Sequence, residues 1–208
     1  VERSHGRNRN LLVAATGTGK TVIAAFDYQR ACKAQGGLPR LLCIAHRKEI
    51  LYQARATFAQ VLRQSDFGEI LTDGSSPSSN DHLFATIQSF NSRNLLQILG
   101  PDYWHMVIVD ECHHSAAKGY ENLLTNIKPS ILLGLTATPE RGDGKSILGF
   151  FDQRRDGSPS AELRLWDALD QELLSPFEYY GCNDDTDLSE VPWDKVGEVS
   201  SLDNIISG

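Results

Sequence analysis

Two short stretches of this 208-residue chain carry residue types whose order could do chemistry on a phosphate ester. The first is Ala14-Ala-Thr-Gly-Thr-Gly-Lys-Thr21; the second, 90 residues beyond Lys20, is Asp110-Glu-Cys-His-His114. In the first, Gly17 and Gly19 free the backbone to turn its N–H groups around phosphate oxygens, and a helix starting there adds its positive end. Thr16, Gly17, Thr18, Gly19, Lys20 and Thr21 are the candidate phosphate-binding residues, with Lys20 meeting the β- and γ-phosphates and Thr21 offering its hydroxyl to Mg²⁺. The pattern departs from G-x-x-x-x-G-K-S/T at its first position, where Ala14 is tolerable if its φ is negative. In the second stretch Asp110 is the candidate partner of Thr21 in holding Mg²⁺, and Glu111 can orient and deprotonate a water for attack on the γ-phosphate of ATP. The catalytic candidates are therefore Glu111, Lys20 and Asp110. Hydrolysis suits this pairing better than transfer, because a kinase must exclude that water and bind a second small substrate.

Two further groups lie close by in sequence. Cys112-His113-His114 invites a zinc reading, which fails because three consecutive residues rarely aim at one ion and no fourth ligand of suitable spacing is apparent. His113 and His114 are expected to contact the loop after the next strand. That strand runs into Gly134-Leu-Thr-Ala-Thr-Pro-Glu-Arg141. There the hydroxyls of Thr136 and Thr138 could bond the Asp110 and Glu111 region and couple nucleotide state to movement, or could simply form a hydroxyl-to-backbone turn before Pro139.

Such residues need rigid elements behind them. Short, mostly continuous apolar runs at Leu11 to Ala15, Leu41 to Ala45, Glu69 to Leu71, Leu83 to Ile87, Met106 to Val109 and Ile131 to Leu135 alternate with helix-period stretches, which predicts an α/β fold with a parallel, helix-covered sheet. Ile50, Leu51, Ala54, Phe58, Val61 and Leu62 place an apolar stripe on a helix from about Arg47 to Arg63, and Val22, Ile23 and Phe26 begin a similar helix after Lys20. Tyr52 and Phe58 are read as packing residues. Gly74-Ser-Ser-Pro-Ser-Ser-Asn80 has linker composition without an apolar anchor and is expected to be a mobile surface loop, with Arg154 to Ser160 similar. Leu165, Trp166, Leu169 and Leu173 mark a last helix, after which the acidic tail is too short to form a second core.

Hydrophobic residues make up 40% and charged ones 23% of the chain, enough for one sizeable core, and no apolar run approaches the roughly 20 residues of a membrane span. Four cysteines without a C-x-x-C pair argue against a disulfide scaffold and for a reducing cytoplasm. The net charge of −7 speaks against a polyanion partner until it is divided along the chain. Residues 1–64 hold 11 Lys/Arg against 3 Asp/Glu, whereas residues 65–208 hold 9 against 24, so the first part is basic. The chain starts without Met or an apolar leader, which reads as a start inside a longer protein.

Taken together in order and spacing, these motifs resemble the first RecA-like motor domain of superfamily two helicases, in the DEAD/DEAH-like group related to type I and type III restriction-enzyme motor subunits and to excision-repair helicases. The resemblance covers roughly residues 10–142, with Ala15 to Thr21 as motif I, Ala45-His46-Arg47 as motif Ia, Thr86-Ile87-Gln88-Ser89 as a strand-contact motif, Asp110 to His114 as the DECHH motif II and Thr136-Ala137-Thr138 as motif III. It implies a P-loop NTPase of RecA-like architecture from a bacterial source, with ATP and Mg²⁺ as cofactors. His114, Thr136 and Thr138 are its coupling residues, and His46, Arg47, Thr86, Gln88 and Ser89 its nucleic-acid contacts. The implied function is that of an ATP-dependent helicase or translocase acting on DNA more than RNA, its competitor being a nucleotide-dependent switch without efficient turnover. Residues 1–10 would end an upstream region, 11–150 form the ATP-binding domain, and 151–208 lead towards a second RecA-like domain of the same protein, whose arginine finger would complete the cleft.

Overall fold

The segment Leu-Leu-Cys-Ile-Ala at residues 41–45 is buried at all five positions, the expected condition of a strand covered on both faces. In a computed structural model of the chain, which describes residues 6–112, 118–139 and 147–175, this strand lies in a seven-stranded sheet. The elements in chain order are β1 (Arg9–Ala14), α1 (Lys20–Gln35), β2 (Leu41–Ala45), α2 (Lys48–Leu62), β3 (Glu69–Leu71), β4 (His82–Thr86), α3 (Ile87–Ser92), α4 (Leu95–Leu99), β5 (Met106–Val109), α5 (Lys118–Asn126), β6 (Ile131–Thr136), a 3₁₀ turn (Ile147–Phe150), β7 (Ala161–Leu163) and α6 (Leu165–Asp170). The strand order is β3-β4-β2-β5-β6-β1-β7, and every pairing is parallel. This is the RecA-like α/β arrangement that the sequence predicts.

Alternate strand residues supply two cores. Leu42 and Ile44 of β2 with Val107 and Val109 of β5 face one side, where Phe90 of α3 and Tyr120, Leu123 and Leu124 of α5 cover them. Leu41, Cys43, Met106 and Ile108 face the other side, against Ala24, Ala25 and Tyr28 of α1 and Leu51, Ala54 and Phe58 of α2. An aromatic group of Tyr28, Phe58, Phe67 and Phe84 fills that second core, and the Tyr28 hydroxyl donates to the Pro39 carbonyl at 2.7 Å. At the opposite corner Arg9 fastens β1 to its surroundings, its guanidinium donating to the carbonyls of Leu124, Ile127 and Phe150, while the Asp152 carboxylate accepts the N–H groups of Asn8 and Arg9.

Several local expectations are corrected. The buried face of α1 is made of Ala24, Ala25, Tyr28 and Ala31, while Val22, Ile23 and Phe26 point outward at 42%, 48% and 51% exposure. Alanine lets the helix backbone approach the sheet closely, so the larger side chains are left on its outer face. Phe58 is core, but Tyr52 is 54% exposed, on the other side of α2. The loop at 74–80 has polar anchors instead of apolar ones: the Glu69 carboxylate accepts from the N–H and hydroxyl of Ser78 and from the N–H of Ser79, and Arg93 donates to the Ser75 carbonyl. These bonds, those from Ser78 foremost, hold the Glu69 carboxyl below its usual range. The short strand β7 went unpredicted because Ala-Glu-Leu has no periodic signal, yet it pairs with β1 from Leu12 to Ala14.

Candidate functional site

Because all seven strands are parallel, every loop that follows a strand emerges on the same edge of the sheet, the carboxyl edge where α/β proteins place ligands. Strand order then sorts the candidates. Neighbouring β5, β6 and β1 deliver Asp110, Thr136 and the phosphate-loop candidate, whereas neighbouring β4 and β2 deliver Thr86 and His46.

The loop from Ala15 to Gly19 connects β1 directly to α1. Gly17 and Gly19 have φ values of +87° and +80°, a region that costs other L-residues strain, and Gly19 caps α1 in this left-handed conformation. Ala14 is not among the positive-φ residues, which is why a methyl group is tolerated where the usual pattern has glycine. The Thr18 hydroxyl donates to the Ala15 carbonyl at 2.7 Å, and the Ala15 N–H donates to Leu163 of β7 at 3.0 Å, so the loop is braced at its entry. An added Cβ on Gly17 would lie 3.3 Å from Cδ2 of Leu174, which brings the segment after α6 against the loop. No sequence signal pointed to Leu163 or Leu174. Thr16 is exposed and Thr21, in the first turn of α1, is half-buried.

Lys20 is buried, and its ammonium donates to the carbonyls of Ala14 at 3.0 Å and Ala15 at 3.4 Å. Across from it stands Asp110, 6% exposed, whose N–H is tied to the Ile44 carbonyl at 2.8 Å. Asp110 continues the alternation of Met106 and Ile108, which face the α1 side of the sheet. Its carboxyl is held above the usual carboxylate range by burial; the Glu111 N–H works against the shift, the Glu111 charge adds to it, and the Lys20 ammonium opposes it. Asp110 Oδ1 accepts the Glu111 N–H at 2.9 Å. Glu111 itself is half-buried and has φ +51°, the left-handed region, uncommon for a residue with a side chain. Hard oxygen donors from Thr21 and Asp110, with a buried cation alongside, suit Mg²⁺ and a polyphosphate.

Thr136 is fully buried, and its hydroxyl donates to the Thr138 carbonyl at 2.7 Å and accepts the Thr138 N–H at 3.1 Å, the local turn before Pro139. Thr138 is exposed. His113 and His114 lie outside the described residues. On the other pair of strands, Ala45 and Thr86 are register partners, so His46 and the start of α3 are neighbours. Arg47 is exposed at the N-cap of α2, and His46 beside it is half-buried. Thr86 and Ser89 are buried and bonded to each other, the Thr86 hydroxyl donating to Ser89 Oγ at 2.9 Å and accepting the Ser89 N–H at 3.3 Å. They cap α3, which leaves Gln88 as the exposed member of that trio.

Comparison with known proteins bears on this arrangement. The family model described as "Type III restriction enzyme, res subunit" (ResIII) matches residues 1–141. The chain is 29% identical over 196 residues to the type I restriction enzyme EcoAI endonuclease subunit of Escherichia coli, an alignment that covers 89% of this chain and 23% of that protein. It is 28% identical over 162 residues to the candidate ATP-dependent helicase IRC3 of Saccharomyces cerevisiae, covering 71% of this chain and 23% of that protein. Among solved structures, a nuclease-deletion mutant of the Type ISP restriction-modification enzyme LlaGI, in complex with a DNA substrate mimic, superimposes with a TM-score of 0.58 at 19% identity, over 83% of this chain and 19% of that one. The chain thus spans less than a quarter of the length of each of these proteins.

Proposed function

This chain belongs to the ResIII family, that of the res subunits of type III restriction enzymes, and from that membership we propose that it is the first RecA-like motor domain of an ATP-dependent DNA translocase or helicase. Its relatives are helicase and restriction-enzyme motor proteins, and ATP hydrolysis is the activity expected at the level of the family. One observation carries the reading to these residues: the Lys20 ammonium and the Asp110 carboxylate, which act on each other electrostatically, stand at the ends of β1 and β5 beside a loop built on two left-handed glycines.

In this reading the phosphate-loop N–H groups and the start of α1 hold the triphosphate, and Lys20 leaves its carbonyl partners to neutralise the β- and γ-phosphates. Thr21 and Asp110 would hold Mg²⁺, whose contribution when bound is to neutralise charge developing between the β- and γ-phosphates. Glu111 takes the proton of the attacking water. Thr136, Thr138 and His114 pass nucleotide state on to the rest of the motor. Arg47 and Gln88, exposed beside His46, Thr86 and Ser89 on the β2 and β4 side, are the residues most available to a sugar-phosphate backbone, where contact without sequence preference suits a moving protein. The DNA mimic bound by LlaGI supports DNA over RNA. Residues 151–208 would lead to a second RecA-like domain of the same protein, which works in the cytoplasm and whose arginine finger completes the cleft.

The test is an ATPase assay of the full-length protein, with single-stranded DNA, duplex DNA and RNA as separate stimulants. The expected result is Mg²⁺-dependent phosphate release stimulated by DNA; hydrolysis indifferent to every nucleic acid would reject the motor reading. The 208-residue chain on its own is expected to turn over ATP slowly, because an arginine finger is worth about 10³ to 10⁵ in rate. Near-normal turnover, unchanged by adding the second domain, would contradict the shared cleft.

A further inference from the structure

Tyr120 sits on α5, the helix that follows the Asp110 motif in the chain. Its side chain is 1% exposed, and the ring packs among Cys112, Leu123 and Leu124 in the core beneath α5. The hydroxyl, however, has no hydrogen-bond partner. Buried phenols normally find one, and leaving it unmade costs free energy that phenylalanine, filling almost the same space, would not incur. Something other than packing favours tyrosine here.

The complementary group is close in the fold. Asp110 Oδ1 accepts the Glu111 N–H, while among the described residues Oδ2 accepts nothing, so a carboxylate oxygen without a donor and a phenol without an acceptor belong to neighbouring residues of one site. The charges that bear on the Tyr120 hydroxyl are those of Asp110 first and then Cys112, Cys43 and Glu111; burial, with Asp110 adding to it, keeps the phenol protonated and therefore able to donate. The link between Asp110 and the rest of its loop also has somewhere to move, since Glu111 is held at φ +51°.

We infer that Tyr120 is a positioning residue for Asp110: when nucleotide and metal fill the site, its hydroxyl donates to the free side of that carboxylate, directly or through one water, and fixes the orientation in which Asp110 meets the metal. A neutral donor can do this without competing with the cation for the carboxylate charge. The inference rests on the reading of Asp110 as a metal-holding residue.

The experiment is Tyr120→Phe in the full-length protein, with three readouts: melting temperature without ligand, the half-saturating Mg²⁺ concentration for ATP hydrolysis, and nucleotide affinity in EDTA. The expected result is an unchanged or raised melting temperature without ligand, unchanged affinity in EDTA, and a Mg²⁺ requirement raised roughly two- to tenfold with a matching fall in kcat, the size of one lost hydrogen bond. Identical Mg²⁺ dependence and kcat would overturn the inference. So would a variant that melts lower without ligand, because the hydroxyl would then be partnered in the resting protein. A parent protein that shows no Mg²⁺-dependent nucleotide binding would instead reject the underlying site reading, which separates the two failures.

Discussion

The ammonium of Lys20 rests 3.0 Å from the carbonyl oxygen of Ala14, at the end of the strand that leads into the phosphate loop. A buried cation is thus satisfied by backbone oxygens it can exchange for phosphate oxygens without being desolvated a second time. Replacing Lys20 with Ala removes a charge-assisted contact worth about 1.5–3 kcal/mol, so triphosphate affinity should fall roughly 10- to 100-fold. Calorimetric titration of parent and variant with an ATP analogue and Mg²⁺ checks this, and equal affinities would be fatal to the role given to Lys20.

Glu111 follows Asp110 in a left-handed backbone conformation, with its N–H turned onto the Asp110 carboxylate. Its side chain is the base in the proposed reaction, and a general base typically contributes about 10² to 10⁴ in rate. Glu111→Gln in the full-length protein should therefore lower kcat by about that factor while leaving ATP binding close to that of the parent. Single-turnover hydrolysis alongside a binding titration separates the two effects, and an unchanged kcat would remove Glu111 from the chemistry.

Gly134 in β6 is bare for a steric reason. A Cβ there would lie 2.4 Å from Cζ of Phe151 and 2.9 Å from Cδ1 of Leu11, inside the core that joins β6 to β1. Gly134→Ala should destabilise the fold by about 1–3 kcal/mol through overpacking. Urea denaturation measures this, and the double variant with Phe151→Leu should recover part of the loss.

His82, at the start of β4, stacks on Phe67 with ring centroids 5.0 Å apart, and its Nδ1 is buried without a hydrogen bond. Burial lowers its pKa below the ordinary 6.5, with the Asp81 charge pulling partly back. A lowered value in the folded state means that the unfolded chain takes up the proton first, so this contribution to stability is present above pH 6.5 and is lost as pH falls towards the lowered pKa. Urea midpoints at pH 7.5 and pH 5.5 should differ less in His82→Phe than in the parent; an equal difference would show that His82 does not set the acid-side slope.

Residue order alone determined much of this protein. Apolar runs such as Leu41 to Ala45 and Met106 to Val109 can be satisfied only as strands buried on both faces, and Gly17, Gly19 and Lys20 between a strand and a helix can be satisfied by few conformations. These are local or short-period properties, carried by side-chain hydrophobicity and by the backbone freedom of glycine. Tertiary structure decided what depends on neighbours distant in the chain. It turned Val22, Ile23 and Phe26 outward because Ala24, Ala25 and Ala31 allow the closer approach to the sheet, and it used the hydroxyls of Thr86 and Ser89 to cap α3. It paired the three-residue β7 with β1, brought Leu174 against Gly17 and left the Tyr120 hydroxyl buried and unpartnered. Such contacts follow from strand order and crossovers, because the distances between side chains far apart in sequence are set only when the whole sheet has closed.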